Sequence, residues 1–557
     1  MAYGTAGFRD EWTGLHSTFI RMGILASIRS RSISGDCVGI MITASHNTEK
    51  DNGIKIVDTN GGMLSQDWEP IAEEIANISD PEDVLAYINK MCTTLECTDE
   101  SMPSVVVIGR DTRPHSRELF ECVRAGVSAV GGQYFDLGEV TTPQLHFVVH
   151  KANVNKQKGI SLDTFDPVSA LQNYYDTLLQ GFRSLQQSSS NDPQCQVVID
   201  GAFGVGALSI RAFIQRQTEL YSNSGGPLLS VDIRNNAFDG PVNANCGAET
   251  VQKGQRPPCG VESSEVNKLM CSYDGDADRI VFYTFFPTVD NTIKWTLYDG
   301  DKIAALIATF LQSELQAAGL LKPCPGSSNK RSMPCTFGVV QTAYANGASG
   351  AFLRSKGIDI TITKTGVKYL HHAAHKYDVG VYFEANGHGT VLFSERLLVV
   401  IASYRADGSE KRKDLAFSRL QACLKVINQA VGDAVSDMLL CMTALQILDI
   451  SLSSWNDMYS DLPSRQTKVP VTNKDLITCS EDETKVLHPS ALQHELDSAM
   501  RPVPQGRCFV RPSGTEDFVR VYAEAETQEA ADQLALSCIR AINNHVGIVG
   551  EMPLSFC

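Results

Sequence analysis

The sequence predicts an α/β protein with buried, mostly parallel strands and a smaller α+β domain at its carboxyl end. Two observations lead to this prediction. Apolar strand-like runs alternate with helical patterns three times along the chain, and the last strand-like segment alternates polar and apolar residues instead. Repeated alternation of strands and helices is typical of α/β units. The length of 557 residues suggests about three to four domains.

The three strand-helix units are recognised by their apolar patterns. A strand predicted over residues 105–108 (VVVI) precedes a helix with apolar positions between 119 and 130. A strand over 197–199 leads through a Gly-rich turn into a helical pattern over 208–214. A strand over 337–340 follows a helix whose apolar stripe includes residues 303–311, and we expect Asp299 or Asp301 to cap that helix.

The carboxyl-terminal segment has a different pattern. Residues 518–524 alternate polar and apolar, as a half-exposed strand does, and a helix is predicted from about 529 to 542. Breaks are expected in three polar segments rich in Gly, Pro or Ser, at residues 186–193, 322–334 and 455–470. We interpret 322–334 as a loop inside a domain, because the strand-helix alternation resumes directly after it.

Charge, cysteine content and hydropathy exclude several classes of protein. The formal net charge of -16 and the pI of ≈ 5.3 argue against nucleic-acid binding, since no positive field attracts a phosphate backbone. The 16 cysteines contain no Cys-x-x-Cys pair, so we expect reduced thiols rather than zinc sites. The amino terminus has no signal-peptide pattern, and the apolar runs are too short for a membrane helix. We therefore expect a cytoplasmic location and no membrane partner.

A candidate nucleophile lies in residues 43–47 (TASHN), directly after the apolar run 38–42. A strand that ends in small polar residues presents the hydroxyl of Ser45 at its tip, where a ligand can reach it. His46 is adjacent and Lys55 follows ten residues later, and either suits the activation that a serine hydroxyl needs. The alternative is a plain capping turn. A hydrolase elbow is excluded because no Gly-x-Ser-x-Gly surrounds Ser45.

A candidate metal site lies in residues 274–279 (DGDADR). Asp274, Asp276 and Asp278 occupy alternate positions, so an extended loop places their carboxylates on one face. Three close negative charges favour a divalent cation, and oxygen ligands select magnesium, calcium or manganese. The EF-hand pattern fails at its sixth position, where Arg279 replaces Gly. Three protein ligands leave coordination incomplete, and a phosphate oxygen is a suitable further ligand.

Two later loops are suited to binding a sugar and a phosphate. In residues 383–390 (FEANGHGT), a carboxylate and an amide on a Gly-rich turn suit paired sugar hydroxyls. In residues 511–516 (RPSGTE), with Arg520 shortly after, hydroxyls, guanidinium groups and free backbone N–H groups suit a phosphate. Ordinary polar turns are the alternative for both. Weaker signals are Arg9 in a Gly-rich opening segment, residues 109–113, and a basic stretch over 364–372.

These four loops, in this order, resemble the α-D-phosphohexomutase superfamily. The segments 4–9 (GTAGFR), 341–347 (QTAYANG), 365–368 (TGVK) and 383–390 resemble most closely its phosphoacetylglucosamine mutase subfamily. The resemblance extends from Tyr3 to about Glu526. It implies three related α/β domains with mixed sheets plus a smaller C-terminal α+β domain, around a central active-site cleft. The implied domain boundaries are 1–165, 166–287, 288–452 and 453–557.

The resemblance also implies a role for each loop. Ser45 carries a phosphoryl group, and one Mg2+ ion is bound by Ser45, Asp274, Asp276 and Asp278. The candidates for proton transfer and charge stabilisation are Arg9, His46, Lys55 and Arg279. The sugar contacts Glu384, Ala385 and Asn386, and the non-reacting phosphate contacts Arg511, Pro512, Ser513, Gly514, Thr515 and Arg520. The implied reaction converts N-acetylglucosamine 6-phosphate to the 1-phosphate through a 1,6-bisphosphate, which would also serve as activator. The protein is expected to be a monomer.

Two other functions stay open on the sequence alone. The substrate could be glucose or mannose phosphate within the same superfamily, or the chain could be a paralogue that binds a phosphosugar without turnover. The sequence also departs from the family pattern at two positions: Thr48 stands where the family usually has Pro, and Phe203 stands where it usually has Asn. Neither departure removes a reacting group.

Overall fold

The computed structural model describes residues 1–4, 7–97, 103–189, 195–222, 228–290, 292–321, 335–513 and 517–551. Its first unit is a five-stranded sheet, order β1-β3-β2-β4-β5, with helices on both faces. The elements are β1 (Phe8–Glu11), α1 (His16–Ser32), β2 (Cys37–Ile42), β3 (Asp51–Val57), α2 (Glu69–Asn77), α3 (Pro81–Thr94), β4 (Val105–Arg110), α4 (Ser116–Ala129), β5 (Gln133–Glu139) and α5 (Thr142–Gln157).

The central strand β2 shows why this part of the sequence forms continuous apolar runs. Val38, Ile40 and Ile42 pack into the core beneath α1 and α4, whereas Cys37 and Met41 pack into a separate core beneath α5. Strands covered on both faces are apolar throughout rather than alternating. The run that ends just before Thr43 is therefore the buried centre of a sheet, and residue 43 onward emerges at its carboxyl edge.

The second unit repeats the arrangement with order β10-β9-β8-β6-β7. Its elements are α6 (Pro167–Gln187), β6 (Cys195–Asp200), α7 (Val205–Tyr221), β7 (Leu229–Arg234), α8 (Gly247–Gly254), β8 (Met270–Tyr273), β9 (Ile280–Pro287) and β10 (Ile293–Tyr298). Parallel pairs join β7, β6 and β8, and antiparallel pairs join β8, β9 and β10. The hairpin turn between β8 and β9 is the acidic loop 274–279.

The third unit has the order β12-β11-β13-β14, again with two parallel pairs followed by an antiparallel pair. The elements are α9 (Gly300–Ala317), β11 (Phe337–Thr342), α10 (Gly347–Ser355), β12 (Asp359–Thr363), α11 (Val367–Ala374), β13 (Val379–Phe383), β14 (Gly389–Phe393), α12 (Glu395–Ser403), α13 (Lys411–Val426), α14 (Ala434–Leu448) and α15 (Leu452–Asn456). Asp299, not Asp301, caps α9, accepting hydrogen bonds from two backbone N–H groups of its first turn.

Each of the three sheets is therefore mixed, which confirms the fold implied by the family resemblance. The expectation of mostly parallel strands is too simple, because a hairpin adds antiparallel pairs to one edge of every sheet. A single apolar core joins the second and third units through α6, α9, α13 and α14. No helix in the described ranges has the length and apolarity needed to cross a membrane.

The fourth unit is a three-stranded antiparallel sheet, order β15-β19-β18, covered on one face by two helices. The elements are β15 (Ser464–Pro470), β16 (Thr478–Cys479), β17 (Val486–His488), α16 (Ser490–Met500), β18 (Arg507–Pro512), β19 (Phe518–Glu524) and α17 (Gln528–His545). The small α+β unit predicted at the end of the chain is present.

The prediction that residues 518–524 form a half-exposed strand is wrong. Val519, Val521 and Ala523 face α17, and the opposite face of β19 contacts the third unit near the end of the strand. Tyr522 packs with Ala343, and Glu524 is 1% exposed and accepts a hydrogen bond from Gly347 N. Tyr522 and Glu524, two polar side chains of the alternating pattern, therefore contact another domain rather than water.

The three segments predicted as breaks lie only partly within the described residues. Residues 322–334, the second predicted break, lie outside the described ranges, as do residues 190–193 of the first break. The third break, 455–470, contains the end of α15 and β15, and so connects the third unit to the fourth.

Candidate active site

Ser45 lies in the loop that follows β2, and its hydroxyl touches the acidic loop. Its Oγ donates a hydrogen bond to Asp274 Oδ2 at 2.7 Å. The backbone of Ser45 adopts a left-handed φ of 51°, and its N–H donates to Thr43 Oγ1 at 2.9 Å. Left-handed conformations of non-glycine residues are uncommon and persist where surrounding contacts fix them. The fold thus joins two loops that are 229 positions apart in sequence.

Two side chains fix the backbone of this loop. The carbonyl oxygen of Ser45 accepts hydrogen bonds from Asn243 Nδ2 at 2.8 Å and from Arg113 Nη2 at 3.2 Å. The same two groups donate to the carbonyl oxygen of Asn47, at 3.0 and 2.7 Å. Arg113 is itself held by Asp111 through a 2.9 Å ion pair. Sequence reasoning gave residues 109–113 only a weak signal and missed Asn243, which no motif marks.

The three carboxylates of the acidic loop converge as a metal site requires. One oxygen from each of Asp274, Asp276 and Asp278 lies within 4.8 Å of the others, and all three residues are buried. Lys55 Nζ pairs with Oδ2 of Asp276 at 2.8 Å and of Asp278 at 3.1 Å, while Oδ1 of both has no hydrogen-bond partner in the described structure. Buried oxygens of this kind fit a hard divalent cation such as Mg2+.

The glycine between the first two carboxylates permits the contact between loops. A Cβ on Gly275 would lie 2.6 Å from the carbonyl oxygen of Ser45 and 2.8 Å from a methyl group of Val242. No side chain fits at that distance without moving the backbone of the serine loop. Gly275 therefore lets the acidic loop approach the nucleophile closely.

The surroundings shift the pKa values of Asp274 and Asp278 in opposite directions. Burial, together with Asp278 and Asp276, raises the pKa of Asp274 well above its usual range. Burial alone would raise the pKa of Asp278, but His388, Lys55 and Arg279 together lower it. A divalent ion bound by the three carboxylates would favour the charged form of Asp274, which burial and its acidic neighbours disfavour.

Cationic and polar side chains surround the three carboxylates of the acidic loop. Arg279 Nε is 3.7 Å from Asp274 Oδ2 and from Asp278 Oδ1, and His388 Nδ1 is 3.7 Å from Asp278 Oδ1. Nε of Arg9, Nε of Arg279 and Nε2 of His388 are buried with no hydrogen-bond partner in the described structure. Buried donors without partners are costly, and an anionic ligand would satisfy them. Sequence reasoning had not assigned His388 to this site.

His46 and Lys55 differ in their electrostatic surroundings. Burial, Arg279 and Arg9 lower the pKa of His46, whose Nδ1 lies 3.4 Å from Ser45 Oγ. Burial opposes the charge of Lys55, but Asp276 and Asp278 raise its pKa overall. At neutral pH, His46 is therefore a neutral ring beside the nucleophile, whereas Lys55 is an ammonium group bound to the acidic loop.

The predicted sugar loop is joined to the acidic loop by backbone contacts. Residues 384–388 connect β13 to β14, and Ile280 N donates to Gly387 O at 3.2 Å. Gly387 has φ 84°, and a Cβ there would lie 1.8 Å from Ile280 O. Glu384 Oε1 accepts from Gly366 N at 3.2 Å, and Glu384 Oε2 accepts from Asn386 Nδ2 at 3.3 Å. The carbonyl of Ala385 accepts from Gly300 N at 3.1 Å.

The predicted phosphate loop lies in the fourth unit, at the end of β18. Arg511 is paired in register with Arg520 on β19, and Ser513 N donates to Phe518 O at 2.9 Å. Pro512 ends β18, whereas Gly514 and Thr515 lie outside the described residues. Arg511 Nε donates to Tyr344 OH at 3.1 Å. Arg511 therefore connects this loop to the third unit.

The structure thus gathers the candidate residues into three adjoining groups. Ser45, His46, Lys55, Arg9, Arg279 and the three aspartates form one cluster. The sugar loop joins that cluster through the bridge between Arg279 and His388. The phosphate loop contacts the third unit through Tyr344. It is linked to the sugar loop through Glu483, a residue that the sequence did not reveal, which accepts from Thr365, and the next residue, Gly366, donates to Glu384.

Family models match most of the chain. Residues 299–450 and 163–281 match the models described as phosphoacetylglucosamine mutase AMG1, domain III and domain II. Residues 467–541 match the phosphoglucomutase/phosphomannomutase C-terminal domain. Residues 26–82 and 72–162 match the phosphoglucomutase/phosphomannomutase alpha/beta/alpha domain I.

Individual proteins resemble the chain over nearly its whole length. The phosphoacetylglucosamine mutase of Arabidopsis thaliana is 42% identical over 98% of this chain and 96% of its own. The crystal structure of Aspergillus fumigatus N-acetylphosphoglucosamine mutase in complex with GlcNAc-6P and magnesium is 36% identical, with a TM-score of 0.86 over 98% of this chain and 96% of that one. A variant of the same fungal enzyme in complex with glucose 1,6-bisphosphate is also 36% identical, with a TM-score of 0.83 over 98% and 95%.

Proposed function

This chain belongs to the phosphoacetylglucosamine mutase family, and we infer from that membership that it interconverts N-acetylglucosamine 6-phosphate and N-acetylglucosamine 1-phosphate. This reaction supplies the 1-phosphate from which UDP-N-acetylglucosamine is made. We propose that Ser45 carries the phosphoryl group that is exchanged. The observation that supports this assignment most directly is the 2.7 Å contact between Ser45 Oγ and Asp274 Oδ2, which sets the hydroxyl against the candidate metal ligands.

The proposed reaction has two transfers. Phosphorylated Ser45 gives its phosphoryl group to the free hydroxyl of the sugar phosphate, which forms a sugar 1,6-bisphosphate. The bisphosphate turns over in the cleft and returns its other phosphoryl group to Ser45 Oγ, and a trace of added bisphosphate acts as activator by phosphorylating the enzyme. Catalysis of such a transfer depends chiefly on position and on stabilising charge.

The acidic loop and its cations would hold the transferring group. Asp274, Asp276 and Asp278, with the phosphorylated Ser45, would bind one Mg2+, which supplies positive charge next to the transferring phosphoryl oxygens. The unpartnered donors of Arg9, Arg279 and His388 would bind those oxygens. Because Lys55 is paired to two aspartates, we assign it a role through its charge. His46 is the candidate for accepting the proton of the sugar hydroxyl, and Arg9 would stabilise the charge of the transferring group.

The other end of the substrate would lie against the third and fourth units. Glu384 and Asn386 would bind sugar hydroxyls, with Ala385 shaping the turn between them. The phosphate that does not react would be bound by Arg511, Ser513 and Arg520, together with Pro512, Gly514 and Thr515. Both orientations of the bisphosphate present one phosphate to each end of the site, so a single phosphate loop serves both transfers.

Domain boundaries and cellular properties complete the proposal. The boundaries at 165/166 and 452/453 are supported because the first and fourth main sheets fall inside 1–165 and 453–557. The predicted boundary at 287/288 is corrected, because β10 (Ile293–Tyr298) pairs with β9, so the second domain extends to residue 298 and the third begins at 299. We propose a monomer in the cytoplasm that binds neither nucleic acid nor membrane. The net charge of -16 supports the absence of nucleic-acid binding. The cysteines of the described ranges are free thiols, which suits a reducing compartment.

The decisive experiment is an isomerisation assay on purified protein. N-acetylglucosamine 6-phosphate, Mg2+ and a trace of glucose 1,6-bisphosphate should give the 1-phosphate, and Ser45→Ala should lower the rate at least about a thousandfold because the group transfer has no acceptor. Ser128→Ala, at an exposed position on α4, is the matched control and should keep the full rate. Retention of activity in Ser45→Ala would refute the mechanism. Faster turnover of glucose or mannose phosphate would refute the substrate.

A further inference from the structure

Glu483 is a carboxylate of the fourth unit that contacts both the phosphate loop and the third unit. Its Oε1 accepts a hydrogen bond from Arg511 Nη1 at 3.1 Å. Its Oε2 accepts from the backbone N–H of Thr365 at 3.0 Å and from Thr365 Oγ1 at 2.9 Å. The two side chains of the ion pair are 19% and 15% exposed, so water screens the pair only partly.

The backbone around Glu483 is built to hold it in place. Glu483 lies in the turn between β16 and β17 and adopts a left-handed φ of 59°. Its N–H donates to Ser480 O at 2.9 Å, and Asp482 Oδ1 accepts from Thr484 N at 3.1 Å and from Thr484 Oγ1 at 2.8 Å. A left-handed glutamate is unfavourable by itself and persists because these contacts fix the turn.

The contacts of Glu483 continue to the sugar loop. Gly366, the residue after Thr365, donates its N–H to Glu384 Oε1 at 3.2 Å. A continuous path of hydrogen bonds and one peptide unit therefore runs from Arg511 through Glu483 and Thr365 to Glu384. Arg511 is fixed from a second side, since its Nε donates to Tyr344 OH at 3.1 Å. A guanidinium has five N–H donors, so fixing two of them sets the direction in which the others point.

We propose that Glu483 is a positioning residue that fixes Arg511 relative to Glu384, so that the distance between the phosphate loop and the sugar loop stays constant. The inference rests on the proposed function and adds to it the residue that aligns the two subsites. A sugar phosphate must be held by both subsites in either orientation, and the bisphosphate must turn over without escaping. Without Glu483, Arg511 keeps its charge but loses its fixed direction, which weakens binding of substrate and intermediate alike.

Glu483→Gln tests the proposal with little change of shape, because the amide oxygen can still accept from Thr365. We expect the KM for N-acetylglucosamine 6-phosphate to rise about tenfold, and the steady-state rate to depend much more strongly on added glucose 1,6-bisphosphate than in the wild type. A saturating amount of the bisphosphate should restore kcat to within about twofold. Glu481→Gln changes an exposed glutamate of the same turn and should leave all three quantities unchanged.

A second measurement separates positioning from a folding defect. In an Arg511→Ala background, Glu483→Gln should have no further effect on KM, because the residue acts through the missing guanidinium. The thermal midpoint of Glu483→Gln should stay close to that of Glu481→Gln. A lower kcat at unchanged KM that added bisphosphate does not restore, or full additivity with Arg511→Ala, would overturn the proposal.

The proposal can fail independently of the proposed function. Calorimetric binding of N-acetylglucosamine 6-phosphate to Ser45→Ala, with and without Glu483→Gln, needs no turnover. If the wild type fails to isomerise the sugar phosphate, the proposed function is refuted. If the wild type turns over and the two Ser45→Ala proteins bind the sugar phosphate equally well, the positioning role alone is refuted.

Discussion

Asn243 illustrates how a residue outside the reacting groups controls them. Ser45 reaches Asp274 only with a left-handed backbone, and the carbonyl oxygen of Ser45 is held by Asn243 from the second unit and by Arg113 from the first. Hydrogen bonds of this kind contribute about 0.5–1.5 kcal/mol each to stability. Their larger effect here is expected on geometry, since phosphoryl transfer depends on in-line position.

Asn243→Ala should therefore lower kcat about tenfold to a hundredfold while KM changes less than about twofold, because the sugar and phosphate subsites are untouched. Steady-state kinetics on N-acetylglucosamine 6-phosphate measures both quantities. Asn267→Ala is a matched control, since Asn267 is also left-handed, with φ 60° against 62° for Asn243, and is exposed. An unchanged kcat in Asn243→Ala would mean that Arg113 alone holds the serine loop.

At the scale of helices and strands, some features can be predicted from the sequence and others cannot. The apolar run before Thr43 and the acidic triplet could be interpreted from local pattern alone, because burial on both faces and like-charge crowding depend on nearby residues. The contacts of Glu524 and Glu483 could not be predicted from local pattern. Their partners, Gly347 and Thr365, are 177 and 118 positions away, and polar alternation gives no sign that another domain covers them. The sequence therefore predicts loops that carry chemistry but not the contacts that align them.

Asp378, the residue before β13, accepts hydrogen bonds from the starts of β11 and α12, and it makes the stability of the third unit depend on pH. Burial alone would raise its pKa, but hydrogen bonds from Ser394, Thr336 and Arg396 lower it to about 2. Ser394 Oγ and Arg396 Nη2, at the start of α12, donate at 2.7 and 2.6 Å. Thr336 N, just before β11, donates at 2.9 Å. A carboxylate with a lowered pKa in the fold contributes stability that is present above its unfolded pKa and is lost as pH falls toward the folded pKa.

Asp378→Asn should lower the free energy of unfolding by about 1–2 kcal/mol at pH 7, given about 1.4 kcal/mol per pKa unit and partial exposure. The difference from the wild type should persist down to about pH 4 and shrink between pH 4 and 2. Urea unfolding across this range measures it. Asp359→Asn, at an exposed position on β12, should show no comparable loss at pH 7. A difference between wild type and Asp378→Asn that grows as pH falls would contradict the assignment.

At the scale of the whole molecule, the acidic loop is the point where three units meet. Thr142 of the first unit donates to Asp276 Oδ2 at 2.6 Å, and Lys55 pairs with the same residue. His388 of the third unit approaches Asp278, and residues 279 and 388 form a backbone bridge. Away from this point, Lys368 of the third unit pairs with Glu69 of the first at 2.8 Å. A cation bound at the acidic loop therefore neutralises charge at the centre of the molecule, where it acts on stability as well as on chemistry.

Mg2+ should for this reason raise the thermal midpoint of the protein. A ligand that binds only the folded state stabilises it by about 2.7 kcal/mol at a hundredfold excess over its Kd, which for cooperative unfolding of 557 residues corresponds to a shift of roughly 2 °C. Differential scanning fluorimetry with and without a chelator measures this shift. Asp278→Asn should reduce the shift to less than about 1 °C, whatever its effect on the metal-free midpoint. Asp290→Asn removes an exposed carboxylate of the same domain and should keep the full shift. Equal shifts in the two variants would mean that Mg2+ stabilises the protein at some other place and not through the acidic loop.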